Sequence, residues 1–265
     1  MKVRSLIALF CVAVALLIAP HSAQVSAQSR ARDKGDFAER DEFRQSYQLA
    51  PGSSVEIRSI NGPLQIETTT GNTVEVYVER SARTKADLEY RKVIVESTPT
   101  SLRVYTQEPP DDVRNDVHVR HRAIIKLPRP SELTVRNING NARIGDVDGP
   151  VRLGNINGEL EIGHASSFAE LSNVNGNMSM TIERLGDRGI QMQHVNGNIN
   201  LQFLDSVNAD LDVSMFNGTV NSSLPNMSLQ KMSRSSLRGQ IGAGGTPISG
   251  SHINGIITIR GAADR

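Results

Sequence analysis

The chain has 265 residues, among them 22 Gly and 11 Pro but no Trp. Lys and Arg number 29 and Asp and Glu 28, so the formal net charge of +1 excludes a global electrostatic attraction to nucleic acid or anionic lipid. A hydrophobic content of 38% is too high for a disordered chain, and the abundance of Asn, Gly and Ser favours many short strands joined by turns.

Residues 1–27 have the pattern of a secretory signal peptide. Two basic residues precede an almost wholly apolar run, 6–19, and the small residues at 25–27 predict cleavage after Ala27. The apolar run is shorter than the roughly 20 residues of a membrane span, so we expect an exported chain without a transmembrane anchor. Cleavage also removes Cys11, the single cysteine, and leaves a mature chain without a disulfide or a thiolate.

The rest of the chain divides into regions of different pattern. Residues 28–44 are dense in charges of both signs and carry no apolar stripe, which predicts a flexible arm. In residues 45–130, apolar and polar residues alternate between polar turns, a pattern typical of antiparallel strands. We expect this antiparallel β region to cap the next segment, 131–260, which is followed by a short tail at 261–265.

Residues 131–260 repeat one unit: an apolar residue, Asn-Gly, and then alternating apolar residues. From Asn139 the Asn residues follow at intervals of 18, 18, 21, 21 and then 37 residues. Arg238-Gly239 divides the last interval as a degenerate copy would, and Asn61-Gly62 is an earlier copy upstream. The structural turn residues of the segment are Asn139, Gly140, Asn157, Gly158, Asn175, Gly176, Asn196, Gly197, Asn217, Gly218, Asn254 and Gly255.

Two architectures fit this repeat. Asn-Gly between alternating apolar residues is a strong hairpin signal, with positive φ at both residues, and would give an antiparallel meander. The regular spacing favours a β-helix, an all-β solenoid in which equivalent residues of successive coils stack about 4.8 Å apart. The stacked amides would then form two hydrogen-bonded columns. Their members are Asn139, Asn157, Asn175, Asn196 and Asn217 in one, and Asn137, Asn155 and Asn173 in the other.

The interior of such a stack would be narrow and mostly aliphatic. Burying each side chain there contributes about 1.5–3 kcal/mol before entropy is subtracted. The residues expected inside are Ile138, Ile144, Val151, Ile156, Ile162, Val174, Met180, Ile182, Val195, Ile199, Leu211, Val213 and Phe216.

The chain resembles a family of exported bacterial proteins of unknown function that are described as adhesin-like or β-strand-repeat proteins. The likeness covers nearly the whole mature chain. It rests on strands around Asn61-Gly62, a β-rich middle, a strand ending at Leu127-Pro128, and the Ile/Val-Asn-Gly units that follow. This resemblance implies a β-helical fold and a location in the cell envelope, and it brings no catalytic residues.

The histidines predict no metal site. His118 and His121 are three apart in a predicted strand, so their side chains point to opposite faces. His194 and His252 both lie two residues before the Asn of a repeat, but three coil steps would separate them by about 14 Å.

The carboxylates offer two weaker hypotheses. Asp146 and Asp148 lie on one turn and offer oxygen ligands to Ca²⁺, which needs about six to eight. With Glu159 and Glu161 they would also be the candidates in a polysaccharide hydrolase or lyase, which needs paired carboxylates in a cleft. The absence of Trp weakens a sugar-stacking groove.

The sequence therefore predicts a non-catalytic protein exported to the periplasm or the cell surface. It would be a scaffold or adhesin-like surface that binds a cell-surface polymer or an envelope protein through groups repeated at every coil. We predict no cofactor, no metal and no nucleic-acid partner, and self-association through an end coil is open to it. The alternatives are a polysaccharide-cleaving β-helix enzyme and a periplasmic regulatory partner that docks through residues 28–44.

Overall fold

The computed structural model describes residues 37–231, 233 and 235–261, and the part from Ala38 onward is one compact unit. The predicted cleavage site at Ala27 and residues 28–36 of the predicted arm lie outside the described residues. Within the described part the fold is all-β with one short helix, and no helix there is long and apolar enough to cross a membrane. The elements are β1 (Glu39–Gln48), β2 (Ser54–Asn61), β3 (Leu64–Thr69), β4 (Thr73–Ala82), α1 (Lys85–Tyr90), β5 (Val93–Thr98), β6 (Ser101–Thr106), β7 (Val119–Pro128), β8 (Glu132–Asn139), β9 (Ala142–Ile144), β10 (Val151–Asn157), β11 (Leu160–Ala165), β12 (Ala169–Asn175), β13 (Met178–Ile182), β14 (Ile190–Asn196), β15 (Ile199–Phe203), β16 (Ala209–Ser222), β17 (Met227–Lys231), β18 (Ser236–Ile241) and β19 (Thr246–Arg260).

The strands form two hydrogen-bonded ladders that share the long strands β16 and β19. Ladder one runs β5–β6–β2–β8–β10–β12–β14–β19–β16–β18–β17. Ladder two runs β1–β4–β7–β3–β9–β11–β13–β15–β19–β16. Neighbours from β6 to β16 in ladder one, and from β7 to β16 in ladder two, are parallel. The antiparallel meander is therefore wrong for the repeated segment.

The N-terminal region is mixed rather than antiparallel as expected. β2 and β3 flank the turn at Asn61-Gly62 and pair in parallel with β8 and β9, so the earliest copy of the repeat lies beside the next one. Antiparallel pairing joins β1 to β4, β4 to β7 and β5 to β6. Residues 39–44, which we expected in the flexible arm, belong to β1.

The repeats follow a different order in space from their order in the chain. β19 lies between β14 and β16, so Asn254 pairs in register with Asn196 on one side and Asn217 on the other. The expected order, with Asn217 next to Asn196, is wrong. Arg238-Gly239 forms no copy of the parallel repeat, because it lies in β18, which is antiparallel to both β16 and β17.

Most inward side chains of both ladders form one core cluster, and Ala82 of β4 and Val119 of β7 form a smaller one with Leu88 and Val117. Buried and outward residues alternate along the strands, as in β13, where Met178, Met180 and Ile182 are buried. All the residues that we expected inside are buried except Phe216, which is 87% exposed. The register with β19 shifts around Met215, so Phe216 is an extra residue in its strand and is turned outward.

The chain bends at each turn through residues with positive φ, but not at the positions expected of a hairpin. The Asn-Gly glycines have φ between 141° and 155°, whereas none of the Asn residues that precede them has positive φ. The left-handed residues lie two positions earlier: Asn137, Asn155, Asn173, His194 and His252, with φ of 53–57°, and Ser59 with 61°. Asn is the non-glycine residue that tolerates this conformation best, which accounts for its repetition there.

A substitution at Gly176 tests whether the backbones of adjacent turns must approach each other closely. Its φ is +149°, and a Cβ there would overlap the carbonyl oxygen of Gly158 in the neighbouring turn. We expect Gly176→Ala to lower the free energy of unfolding by about 3 kcal/mol or more, measured by urea denaturation. Gly71→Ala is the matched control, because a Cβ there meets nothing within 4 Å. Equal stability of the two variants would contradict the close approach.

Candidate functional site

One column of amides crosses the repeated turns. Five of its Asn residues donate through Nδ2 to the Oδ1 of the Asn in the adjacent turn. The bonds are Asn139 to Asn61 (3.1 Å), Asn157 to Asn139 (3.1 Å), Asn175 to Asn157 (3.2 Å), Asn196 to Asn175 (3.1 Å) and Asn254 to Asn196 (3.0 Å). Asn217 pairs with Asn254 through the strand register at the far end. The Asn-Gly residues that we singled out thus lie at equivalent positions, with the amides on the surface.

A second column contains the left-handed residues. Asn155 Nδ2 donates to Asn137 Oδ1 (2.8 Å) and Asn173 Nδ2 to Asn155 Oδ1 (3.0 Å). At the next two repeats the residue is histidine, and the rings of His194 and His252 stack with centroids 4.6 Å apart and planes inclined by 8°. The expected separation of about 14 Å is wrong, because β19 lies directly beside β14.

A third column, which the sequence analysis missed, follows the turns on the side of ladder two. The Oδ1 atoms of Asn141, Asn177 and Asn198 each accept a backbone N–H from the adjacent repeat, at 3.1 Å. Each of these residues lies two positions after the Asn of an Asn-Gly pair, so their spacing was a detectable signal in the sequence.

A groove of about 600 Å³ crosses the outer face of ladder two, from β7 to β19. Its floor is one outward residue from each successive strand: Gln65, Arg143, Glu161, Ser179, Asn200 and Thr258. The third Asn column forms one side. Six strand spacings of about 4.8 Å make the groove about 29 Å long. Its lining combines amide, hydroxyl and charged side chains with apolar residues such as Pro63 and Ile124, and none of the lining residues is aromatic.

The charges in the groove are partly paired. Arg143 binds Glu161 with both Nε and Nη2 on one carboxylate oxygen, at 2.8 and 2.7 Å. Arg122 lies at one end and Arg260 at the other, and neither guanidinium has a partner among the described residues. On the floor, the Oδ1 of Asn200 is buried without a hydrogen-bond partner. The groove therefore offers an unpaired cation at each of its ends.

A second depression of about 670 Å³ adjoins the groove, sharing Arg122 and Ile124 with it. In it the guanidinium of Arg44 lies 4.9 Å from the ring centroid of Tyr77. Desolvation, together with the carboxylate of Glu42, raises the pKa of Tyr77, so its hydroxyl remains a hydrogen-bond donor near neutral pH. Tyr77 gives the outer face of ladder two an aromatic side chain that the groove itself lacks.

The candidate carboxylates divide between two places. Asp148 accepts from Arg129 Nε (2.9 Å), and the same guanidinium lies 3.8 Å from Asp146, so a cation already compensates both. Within the part of the chain that the structure describes, no three His, Cys, Asp or Glu residues converge as a metal site would require. Glu159 and Glu161 instead line the groove.

His121 joins the N-terminal strands to the first repeated turn. It is 2% exposed, and its Nδ1 accepts the backbone N–H of Asn61 (3.0 Å), while Nε2 has no hydrogen-bond partner. Burial, reinforced by the charges of Arg91 and Arg80, lowers the pKa of His121 to about 4. The imidazole is therefore neutral in the folded protein at neutral pH and acts there as an acceptor.

No protein-family model and no curated protein matches the chain. Solved structures similar to it are a protein of Clostridium sporogenes provisionally named for cell adhesion (12% identity, TM-score 0.39, covering 83% of this chain and 100% of that one) and a provisionally named adhesin of Bacteroides fragilis (10%, 0.32, 83% and 97%). A third, from Parabacteroides distasonis, is provisionally named for lipid binding (11%, 0.25, 83% and 96%). At such low TM-scores these likenesses assign no function to the chain.

The first Asn column can be tested at its centre. Asn175→Ala removes one donated and one accepted side-chain bond, and we expect it to lower the free energy of unfolding by about 1 kcal/mol. Asn221→Ala is the control, because that exposed amide makes no side-chain bond within the described residues. Urea unfolding of both variants measures the difference, and equal midpoints would show that the column adds nothing to stability.

The lowered pKa of His121 predicts that the stability of the protein depends on pH. Because its pKa falls from 6.5 in the unfolded chain to about 4 in the folded one, the unfolded state binds the proton first. Stability is full above pH 6.5, and we expect about 3 kcal/mol to be lost as the pH falls to 4. In His121→Asn the amide oxygen can accept the same N–H without titrating. Urea unfolding between pH 7 and 4 should therefore show a shallower loss in the variant, and parallel curves would contradict the assignment.

Proposed function

We propose that this chain is a non-catalytic binding protein of the bacterial cell envelope, built as a β-helix, and that its groove holds an extended polymer. The β-helix is supported by parallel pairing of successive repeats in both ladders and by Asn-Gly turns that stay in register. The segment 131–260 would supply most of its coils, with residues 45–130 as the N-terminal region. Export is supported by the sequence pattern of residues 1–27.

The groove is the single observation that carries the binding role. It is a long channel that crosses the strands, so a linear ligand laid along it meets the outward side chain of a new strand about every 4.8 Å. Amide and hydroxyl groups recognise hydroxyl or amide groups of a polymer, and Arg122 and Arg260 provide cations for anionic substituents at both ends. Many weak contacts of this kind add up because the ligand is continuous.

A polysaccharide-cleaving enzyme is the second candidate, favoured by Glu159 and Glu161. The two residues are two positions apart, so their side chains project from the same face, and both line the groove. A pair of carboxylates flanking a bound sugar chain is what glycoside cleavage requires. Against this role, Glu161 is already neutralised by Arg143.

The binding role is tested with the purified chain on separate fractions of peptidoglycan, lipopolysaccharide and envelope membranes, at low and physiological salt. Ser179→Tyr fills the middle of the groove, and Gln191→Tyr places the same ring on the outer face of ladder one. We expect retention on one fraction, lost in Ser179→Tyr and kept in Gln191→Tyr. Retention by none of the three proteins, or equally by all, would overturn the groove as the binding site.

The same fractions distinguish binding from cleavage. We expect the bound polymer to keep its length, measured by size-exclusion chromatography after overnight incubation. Shortening that disappears in Glu159→Gln would replace the non-catalytic proposal with the enzyme.

A further inference from the structure

The stacked pair His194 and His252 lies outside the groove, and the proposed binding role does not use it. Both residues have φ of 53° and occupy equivalent positions on β14 and β19. The shared backbone conformation points the two imidazoles in the same direction from adjacent strands. Both side chains are exposed.

The ring nitrogens of this pair are uncommitted. The other described histidines have neighbours: His121 accepts a backbone N–H, His118 Nδ1 lies 2.9 Å from the carbonyl of Asp116, and His164 Nδ1 lies 3.4 Å from Asp146. His194 and His252 have no hydrogen-bond or ion-pair partner within the described residues, only each other's ring. Two imidazoles with unused ring nitrogens on adjacent strands are within reach of a common ion once their rings turn out of the stack.

We propose that His194 and His252 together bind one divalent transition-metal ion of the kind that imidazole prefers, Cu²⁺, Ni²⁺ or Zn²⁺. One nitrogen of each ring would be a ligand and water would complete the coordination. Metal–nitrogen bonds of about 2.0–2.1 Å at the angles of a tetrahedral or square-planar site place the two nitrogens about 3 Å apart. In the stack, with centroids 4.6 Å apart, the lone pairs lie in parallel planes and do not meet, so both rings must turn about χ1 and χ2 until the lone pairs converge, which two exposed side chains without other partners are free to do.

The location gives the ion a structural consequence. β14 and β19 are neighbours in ladder one, yet His194 and His252 are 58 residues apart in the chain. Equivalent residues of the consecutive repeats β10, β12 and β14 are only 18 or 21 residues apart, so the chain holds β19 against β14 less closely than it holds those repeats together. An ion bound by both rings cross-links the two strands, and because it binds only the folded arrangement, it raises the free energy of unfolding by an amount that grows with the logarithm of the ion concentration above Kd.

The test uses the chain with Cys11→Ser in every protein, so that the thiol cannot bind metal. Cu²⁺ and Ni²⁺ are titrated by isothermal calorimetry, and thermal unfolding is followed with and without each ion. The double variant His194→Asn/His252→Asn extends the Asn column of the preceding repeats, and Asn tolerates the left-handed conformation, so the fold is kept. The control is His118→Asn/His164→Asn, which leaves the pair intact.

We expect one equivalent of ion to bind the parent and the control, with a rise of several degrees in Tm. Affinity should fall at least tenfold in each single variant, and the rise in Tm should vanish in the double variant. Unchanged binding in the double variant would overturn the site. Binding that survives in one single variant at the parent affinity, or that leaves the Tm of the parent unchanged, would overturn the cross-strand bridge.

Discussion

The close approach of backbones at the Asn-Gly turns is the constraint on which the rest of the structure depends. A Cβ on Gly158 or Gly176 would overlap the carbonyl of the glycine in the adjacent turn. Each of these turns therefore needs a glycine against the neighbouring backbone, which is the glycine of the adjacent turn or, for Gly62, the backbone of His121, and a slip by one residue would place a side chain into that contact. This is why Asn254 and Asn217 stay in register with the others although their strands arrive out of chain order.

Strict register turns a sequence repeat into columns of like groups. Asn residues at three positions of the unit form three columns, two of side chain to side chain and one of side chain to backbone, at the turns between the ladders. The same register aligns the outward residues of ladder two in a row, and this row is the floor of the groove. A substitution within a column then changes the side-chain chemistry and leaves the backbone conformation unchanged. His194 and His252 replace Asn in the second column and keep the same φ as the Asn residues there.

The sequence predicted the features that depend on neighbouring residues, but it did not predict those that depend on the order of the strands in the ladders. The alternation of apolar residues and the Asn-Gly spacing predicted the buried positions and the stacking of equivalent residues, because both follow from short-range periodicity. The place of β19 could not be predicted, because nothing in a repeated unit says which copy it pairs with. The separation of His194 from His252 was wrong for that reason, and the outward Phe216 reflects one extra residue that periodicity does not register.

The antiparallel strands explain why the stack is finite. Parallel ladders expose unpaired N–H and C=O groups at their ends, which invite further strands. β5 and β6 close one end of ladder one and β18 and β17 the other, while β4 and β1 follow β7 at one end of ladder two. The outermost strands β5, β17 and β1 each run antiparallel to the strand they cover and carry no Asn-Gly turn that would accept another repeat. β19, the last repeat of the chain, lies inside the stack and is shielded. β16, the repeat before it in sequence, ends the parallel stack, because its other neighbour in ladder one is the antiparallel strand β18.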